Sequence, residues 1–442
     1  MLERTVPRYT SYPTAPHFSA AIGSESYRSW LSALPQEATL SLYLHVPFCT
    51  QLCFYCGCHT KAVLRRDPTD AYARRLIEEI GLVGRHAGGR KVVHLHWGGG
   101  TPSILGADWL RAVNAALADV FDLSAVHEHA IELDPRYLTP VLARALAEIG
   151  VDRASFGVQD FNPDVQQAIG RRQPFSTVNR AFSMLREVGI DRINLDLMYG
   201  LPKQSIEGIK ATVRRAHALG PRRLAVFGYA HVPWMKPHQR LIDAAALPSA
   251  QARLAQAEAV HGTLLKLGYQ PIGLDHYARA DDELAIAARS GRLHRNFQGY
   301  TTDEADALLG LGASAIGRLP QGFVQNAPDV GNYARAIESG CLATIRGVAV
   351  SASDRLRGRI IERLMCDLAV EVDDVVDACG PAAHADFAEE LAELAPLADQ
   401  GIVTIDGRRI AITAKGRPLV RLVASAFDAF LATGRARHSL AV

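Results

Sequence analysis

Between residues 41 and 267 the chain alternates six times between a short apolar or β-branched run and a longer stretch of helical periodicity. The short runs are 41–46, 92–97, 128–133, 153–158, 192–198 and 223–229. The helical stretches cover about 70–86, 107–120, 138–149, 176–188, 206–219 and 249–267. Six βα units in succession predict an α/β fold with a parallel sheet and right-handed crossovers. The short runs read as near-continuously apolar, the pattern of strands buried on both faces. The helix over 176–188 is predicted from Ser176 as N-cap and from apolar Val178, Ala181, Phe182 and Leu185. An open doubly wound sheet and an incomplete (β/α)6 barrel both satisfy this periodicity.

The flanks differ. Residues 1–40 open with Pro7, Pro13 and Pro16 within ten residues, which predicts an extended N-terminal arm, with a short helix near 25–34. Residues 271–345 are glycine-rich and weakly patterned. From Ser353 the composition shifts to helix formers, over 353–368, 371–379, 383–399 and 416–432. An Asp406-Gly407 turn inside 403–413 adds one β-hairpin, and the element order allows a winged-helix-like arrangement. The expected division is an arm at 1–40, a catalytic unit at 41–350 and a mostly helical C-terminal domain at 351–442.

The net charge of +2 argues against a nucleic-acid binder, and no Lys/Arg run with interleaved aromatics appears. No apolar run reaches 18 residues and the start lacks an apolar h-region, so neither a membrane span nor a signal peptide is expected. A cytoplasmic protein, read as a monomer, is the expectation. Seven cysteines in 442 residues are too sparse for a disulfide scaffold, yet four fall between Cys49 and Cys58.

Cys49, Cys53 and Cys56 follow the first strand directly, and Cys58 adds a fourth thiol. Structural zinc sites draw on two separated pairs of ligands. Here all four thiols share one loop and only Gly57 parts the last two, which leaves one zinc poorly surrounded. Three cysteines on one loop suit a [4Fe–4S] cluster with one iron left open for a small-molecule chelate.

In a barrel, functional groups collect at the C-terminal ends of the strands. Those ends carry Gly98-Gly99-Gly100-Thr101, Glu132, Gln159 with Asp160, Asp196, and Ala230 with His231. A carboxylate in a buried parallel strand needs a partner, so Glu132 and Asp196 mark a site. Tyr43 and His45 share one face of the first strand and lead into the cysteine loop.

Residues Tyr43 to Cys49, with Cys53, Tyr55, Cys56 and Cys58, carry the signature of the radical S-adenosylmethionine enzymes. The stretches from Pro7 to Ala15, Phe156 to Phe161 and Arg295 to Thr302 narrow the likeness. From about residue 7 to 430 the chain resembles the oxygen-independent coproporphyrinogen III oxidases. That resemblance implies the incomplete barrel. It also implies a cytosolic, anaerobic step of haem synthesis, in which two propionates of coproporphyrinogen III lose CO₂ and become the vinyl groups of protoporphyrinogen IX. A reduced cluster would split S-adenosylmethionine to a 5′-deoxyadenosyl radical, which abstracts hydrogen beside the pyrrole ring. An electron donor such as flavodoxin or ferredoxin and an unidentified electron acceptor are implied.

By matching positions, the resemblance makes Cys49, Cys53 and Cys56 the cluster ligands. It makes Tyr55, Gly99, Gly100, Thr101, Glu132, Gln159, Arg171, Asp196 and Ala230 contacts of S-adenosylmethionine. Phe297, Gln298 and Ile316 match a second S-adenosylmethionine position, and Tyr43 also matches a binding position. Tyr43, His45 and Cys58 are the candidate catalytic groups. The loop past Pro233 departs from the family pattern, and residues 234–240 receive no role. Two rivals share the superfamily: a haem chaperone without decarboxylase activity, and a radical enzyme acting on another tetrapyrrole. The chaperones lack the arm, the fourth cysteine and the Arg295–Thr302 stretch present here.

Overall fold

The computed structural model describes residues 4–380 and 387–431. All six expected strands form: β1 (Leu40–Val46), β2 (Val92–Gly99), β3 (Glu128–Leu133), β4 (Arg153–Gln159), β5 (Arg192–Tyr199) and β6 (Arg223–Gly228). They stand in chain order, each parallel to the next. A further parallel strand, β7 (Ala307–Leu311), lies on the other side of β1, where the sequence shows only a glycine-rich stretch. Antiparallel strands extend the sheet beyond both β7 and β6 to twelve in all. Its two ends are not hydrogen-bonded to each other, so the barrel is incomplete.

The helices follow the expected places: α1 (Asp67–Ala87), α2 (Ala107–Val120), α3 (Pro140–Glu148), α4 (Phe175–Arg186), α5 (Ile206–Ala218) and α6 (Ala250–Lys266). Thr139, Ser205 and Ser249 cap α3, α5 and α6, accepting from the backbone N–H of Leu142, Gly208 and Ala252 at 3.2, 3.0 and 3.2 Å. Ser176 is not the cap of α4. The helix starts one residue earlier behind Pro174, and Phe175 packs edge-on against Phe161 with ring centres 5.3 Å apart.

The strands are not apolar on both faces. Leu42, Leu44, Leu95, Trp97, Ile131, Phe156, Leu195 and Leu224 point outward and are buried under the helices. The register aligns the opposite residues into polar layers: Ser41 with His94, His94 with Glu128, Tyr43 with His96, Ser155 with Asn194, and Arg153 with Arg192. Period-two alternation therefore gives the barrel an apolar outside and a polar inside.

The floor of that interior is an ion network. Glu128 Oε2 accepts from Arg153 Nε at 2.7 Å and lies 3.2 Å from Arg192 and 3.7 Å from Arg223. Arg223 Nε in turn donates to Asp282 at 2.7 Å, and the side chains of Arg153 and Asp282 are each only 3% exposed. Arg192 also pairs with Asp152 and Glu283.

Of the four hydrophobic clusters among the described residues, two are large. The larger surrounds the sheet and its helices. The smaller joins Val6, Tyr9 and Tyr12 of the arm to Leu356, Ile360, Leu364 and Phe427. Helices Ala352–Asp367, Val372–Cys379 and Ala388–Asp399 match the expected ones, and the first starts at a capping box between Ser351 and Asp354. Residues 383–386 of the expected third helix, and residue 432, lie outside the described residues. The hairpin Val403–Asp406 with Arg409–Ile412 gains a third strand, Ala369–Glu371. The single helix expected over 416–432 is broken into three short pieces. Pro418 cannot extend it and Ser425 Oγ turns back to the Leu422 carbonyl at 2.7 Å. Among the described residues no helix is long and apolar enough to cross a membrane.

The floor has a measurable consequence. Burial pushes the Glu128 carboxyl up, but Arg153, Arg223 and Arg192 outweigh it and hold it well below its ordinary 4.5. A depressed carboxyl stabilises the fold above pH 4.5 and loses that contribution as the pH falls. Glu128→Ala leaves three guanidinium groups facing one another and should cost about 3–5 kcal/mol in chemical denaturation at pH 7. The deficit should shrink as the pH is lowered below 4.5.

Candidate functional site

The site is assembled at the upper end of the polar interior. The chain leaves β1 through Val46 and Phe48 and enters the cysteine loop, which is bracketed by a short parallel pairing of Phe48–Cys49 with Lys61–Ala62. Cys49 Sγ lies 3.3 Å from Thr60 Oγ1 and 3.6 Å from Thr101 Oγ1. Cys53 Sγ lies 3.4 Å from Arg171 Nη1 and 4.0 Å from Arg136 Nη2. A hydrogen bond from the Cys58 thiol, outweighing burial, brings the Cys56 thiol down to about 7. All four thiols are free. Among the described residues no group of three or more His, Cys, Asp or Glu side chains is gathered as for a single metal ion.

Neighbouring elements hold the loop. The Phe54 N–H donates to the Ile169 carbonyl at 3.0 Å, and Gln51 bridges the Gly170 carbonyl (3.3 Å) and Arg136 (3.1 Å). Asp134 accepts from Arg136 at 2.7 Å and from Arg171 at 3.2 Å, which fixes both guanidiniums beside Cys53. Three side chains of the 234–240 segment, which received no role from the sequence, bind the loop carbonyls. Lys236 Nζ donates to Cys58 O at 2.8 Å, His238 Nε2 to Cys56 O at 2.8 Å and Gln239 Nε2 to Tyr55 O at 2.9 Å. Their only sequence signal was a lysine, a histidine and a glutamine within four residues, in a stretch without periodicity.

The rim residues come together as follows. Glu132 accepts from the Gly99 N–H at 3.1 Å and lies 3.6 Å from His96 Nε2. Tyr43 stacks on His96, ring centres 5.9 Å apart, and its hydroxyl meets His45 Nδ1 at 3.0 Å. His45 Nε2 donates to the His59 carbonyl at 2.9 Å; burial drives the ring down to about 4, so His45 is neutral at pH 7. Gly100 packs so tightly that a Cβ there would sit 2.4 Å from the Phe48 carbonyl. Gln159 sits at a bulge of β4 with φ +70°, and a Cβ on Gly157 would meet its amide nitrogen at 3.1 Å and Arg171 at 3.5 Å. Arg171 donates to the Gly157 carbonyl at 2.5 Å.

Asp196 lies on the inner face of β5, paired in register with Gly157 and Ala225. Burial and then Glu132 raise its carboxyl to about 7, against the pull of Arg171. Near the same rim, His96 Nε2 is buried without a hydrogen-bond partner. Unsatisfied polar atoms of this kind mark a place where a polar ligand or water completes the bonding.

Other predicted residues stand further out. Ile316 backs onto Gly310, the register partner of Tyr43. Phe297 and Gln298 form the turn of a two-stranded hairpin, His294–Asn296 with Gly299–Thr301, a pairing the glycine-rich sequence concealed. They diverge there. Gln298 faces the interior with Ser41 and His96, while the Phe297 ring lies edge-on to Phe323 and lines a separate cavity of about 940 Å³ beneath the arm. Ala230 lines a third cavity at the β5 and β6 ends.

The donor set fits an iron–sulfur cluster. It offers three free thiols on one loop, with two guanidiniums and two hydroxyls aimed at the sulfurs, donors that stabilise thiolate charge. The rim carboxylates fit a ligand bearing an ammonium and hydroxyls.

Residues 43–216 match the model of the Radical SAM superfamily, and residues 350–419 that of the HemN C-terminal domain. The chain is similar to an oxygen-independent coproporphyrinogen III oxidase of Bradyrhizobium diazoefficiens, 49% identical over 100% of this chain and 98% of the relative. A protein of the same name from Paracoccus denitrificans is 44% identical over 97% and 95%. A solved structure from Escherichia coli, described as coproporphyrinogen III oxidase (HemN), a Radical SAM enzyme, superposes with a TM-score of 0.91. It is 39% identical and covers 97% of this chain and 100% of its own.

Gly99 carries a local test. Its φ is +108°, and a Cβ would lie 2.7 Å from the His45 ring. Gly99→Ala should destabilise the fold by about 1–3 kcal/mol through backbone strain, with the clash against the His45 ring adding to it. A melting temperature equal to that of the unsubstituted protein would show that the His45–Gly99 packing is looser than described.

Proposed function

The chain belongs to the oxygen-independent coproporphyrinogen III oxidases of the radical SAM superfamily, and on that premise we propose the following division of work among its residues. The reaction is oxidative decarboxylation of two propionates of coproporphyrinogen III to vinyl groups, giving protoporphyrinogen IX in anaerobic haem synthesis. The observation that carries the reading is the meeting of three free thiols, two guanidiniums and two carboxylates at one end of a polar barrel. A [4Fe–4S] cluster and S-adenosylmethionine, when bound, supply the hydrogen-atom abstraction that acid–base groups cannot perform on an unactivated C–H bond.

The chain's own part is to bind and orient. Cys49, Cys53 and Cys56 would hold the cluster, with Arg171 and Arg136 balancing its charge. Glu132 and Asp196 accept from the ammonium or ribose hydroxyls of S-adenosylmethionine, beside Gln159, Tyr55, Gly99, Gly100, Thr101 and Ala230. Asp196, raised to about 7 by burial and Glu132, ionises readily once an ammonium faces it. Gln298 and Ile316, next to Tyr43, serve a second S-adenosylmethionine, and Phe297 supports the turn from behind. Two abstractions per substrate molecule are the chemical reason for a second position. Neutral His45 holds the Tyr43 hydroxyl, and Cys58 acts through Cys56 rather than as a ligand. The same reading carries a cytoplasmic monomer with its catalytic unit at 41–350, reduced by a flavodoxin or ferredoxin and giving electrons to a separate acceptor. The family resemblance supports these last assignments.

Two measurements check this division. Alanine at Cys49, Cys53 or Cys56 should abolish iron–sulfur absorbance after anaerobic reconstitution, whereas Cys58→Ala should retain it with loss of vinyl product. Absence of the cluster in Cys58→Ala would overturn its assignment as a non-ligand. At the second position, Gln298→Ala should keep the cluster and the melting temperature while vinyl product falls sharply. Phe297→Leu should lower the melting temperature, with activity falling in step. Full decarboxylation by Gln298→Ala would count against a second cofactor there.

A further inference from the structure

A cavity of about 310 Å³ opens between the C-terminal ends of β5 and β6, the arm, α6 and the C-terminal region. Its cations are Arg8, Arg253, Arg295, Lys415, Arg417 and Arg421, against only two carboxylates, Asp275 and Glu258. Asp275 is already engaged by His276 at 2.8 Å. The cations come from four distant parts of the chain, and among the described residues Arg8, Arg253, Arg295 and Arg417 pair with no carboxylate within 4 Å.

Like charges gathered in a partly buried space repel one another and are costly to desolvate. Acceptors are also missing. Arg253 Nε, Arg295 Nε and Nη1, and Arg417 Nε and Nη2 are buried with no hydrogen-bond partner among the described residues. Backbone carbonyls meet only part of the demand: Arg8 donates to Gly228 O at 3.1 Å, and Lys415 to Gln400 O at 2.8 Å. Gly200 and Gly228 keep the wall open, because a Cβ at either would approach Arg253 to 3.2–3.3 Å. A surplus of guanidinium N–H groups in a cleft is the complement of planar carboxylates, which arginine meets with paired hydrogen bonds.

We propose that this cavity is the receptor for the substrate propionates that are not reacting, with Arg253, Arg295 and Arg417 as the carboxylate-binding groups. The inference rests on the function proposed above. Coproporphyrinogen III carries four propionates, and only one at a time lies at the reacting position, so the others are available as anchors. The cavity is at the low end of the roughly 300–1,000 Å³ of small-molecule sites, room for carboxylate arms but not for the macrocycle. It adjoins the rim: Tyr199 and Ala230 line it, and Tyr199 is three residues, about 10 Å of strand, beyond Asp196. Arms held there leave the ring at the mouth of the barrel, with another propionate directed to the cofactor site.

The test uses reconstituted full-length protein and coproporphyrin III, the stable oxidised macrocycle with the same four propionates, followed by fluorescence titration. Arg253→Gln and Arg417→Gln should each raise Kd about tenfold or more, the worth of one charge-assisted contact. Iron content and melting temperature should stay at the unsubstituted level, and Arg417→Lys should recover part of the loss. In turnover, KM for coproporphyrinogen III should rise more than kcat falls. The tetramethyl ester should bind weakly to every form. Unchanged Kd in both glutamine variants, or an ester that binds as tightly as the acid, overturns the proposal while product formation by the unsubstituted enzyme leaves the function standing. Should Arg253→Gln melt early, Arg417→Gln with its lysine counterpart decides alone. Failure of the unsubstituted protein both to bind coproporphyrin III and to form vinyl product overturns the functional reading, and this proposal with it.

Discussion

The pairing of Glu128 with Arg153, Arg192 and Arg223 sets the terms for everything above it. A charge taken out of water must be paired and hydrogen-bonded, and here the charges come from β3, β4, β5 and β6 at one level of the barrel. Once those four strands turn their first polar residue inward, period two turns every second residue inward as well. His94 is level with Glu128, Ser155 aligns with both Glu132 and Asn194, and Asp196 stands one inward step higher on β5. The outward residues are then free to be large and apolar, and the helices pack on them. A barrel filled with apolar side chains would need no such floor, but it would offer no polar interior to complete with a cofactor.

The reach of sequence reasoning follows from the same geometry. The six βα units were legible because turns and helical periods separate them, and the side-chain chemistry of each strand was not needed to find them. The two-faced alternation was not legible: inward His94, Ser155 and Asn194 are short interruptions in otherwise apolar runs, and only the partner strands show that they align. β7 was hidden for a different reason. Gly310 sits within it and Gly312 just after it, and its partner β1 lies more than 260 residues earlier, so its pairing leaves no local signature. Cys49, Glu132 and Asp196 stood out because a thiol cluster or a carboxylate in a strand is anomalous where it stands. Lys236, His238 and Gln239 are ordinary loop residues until the fold places them over the cysteine loop. Arginines 8, 253, 295 and 417 are equally unremarkable until four segments converge on one cavity.

The arm and the C-terminal helices gain a role from that convergence. Val6, Tyr9 and Tyr12 share a core with Leu356, Ile360 and Phe427, separate from the core around the sheet. Arg8 and Arg417 are carried on those two flanks, whereas Arg253 belongs to α6 and Arg295 to the hairpin before β7. The basic cavity therefore exists only when both flanks are seated on the barrel. Packing in the small core and charge in the cavity are coupled, since the first brings cations together at a cost that anionic ligand would relieve.

Charge is consequently sorted along the molecule. Thiol sulfurs face Arg171 and Arg136, and those guanidiniums are held in turn by Asp134. The carboxylates Glu132 and Asp196 stand on the same rim with few donors of their own. Next along the rim, the cavity beyond Tyr199 has cations in excess. On the proposed assignments, an electron-rich cluster, a cationic cofactor and an anionic substrate would each meet the complementary sign in that order. The ordering follows from the strand sequence β1 to β6 around the barrel, because each βα loop opens onto its own sector of the rim. Electrostatic complementarity of this kind orients ligands more than it tightens them. For a reaction whose bond-breaking power lies in the cofactor, orientation is the contribution that remains for the protein to make.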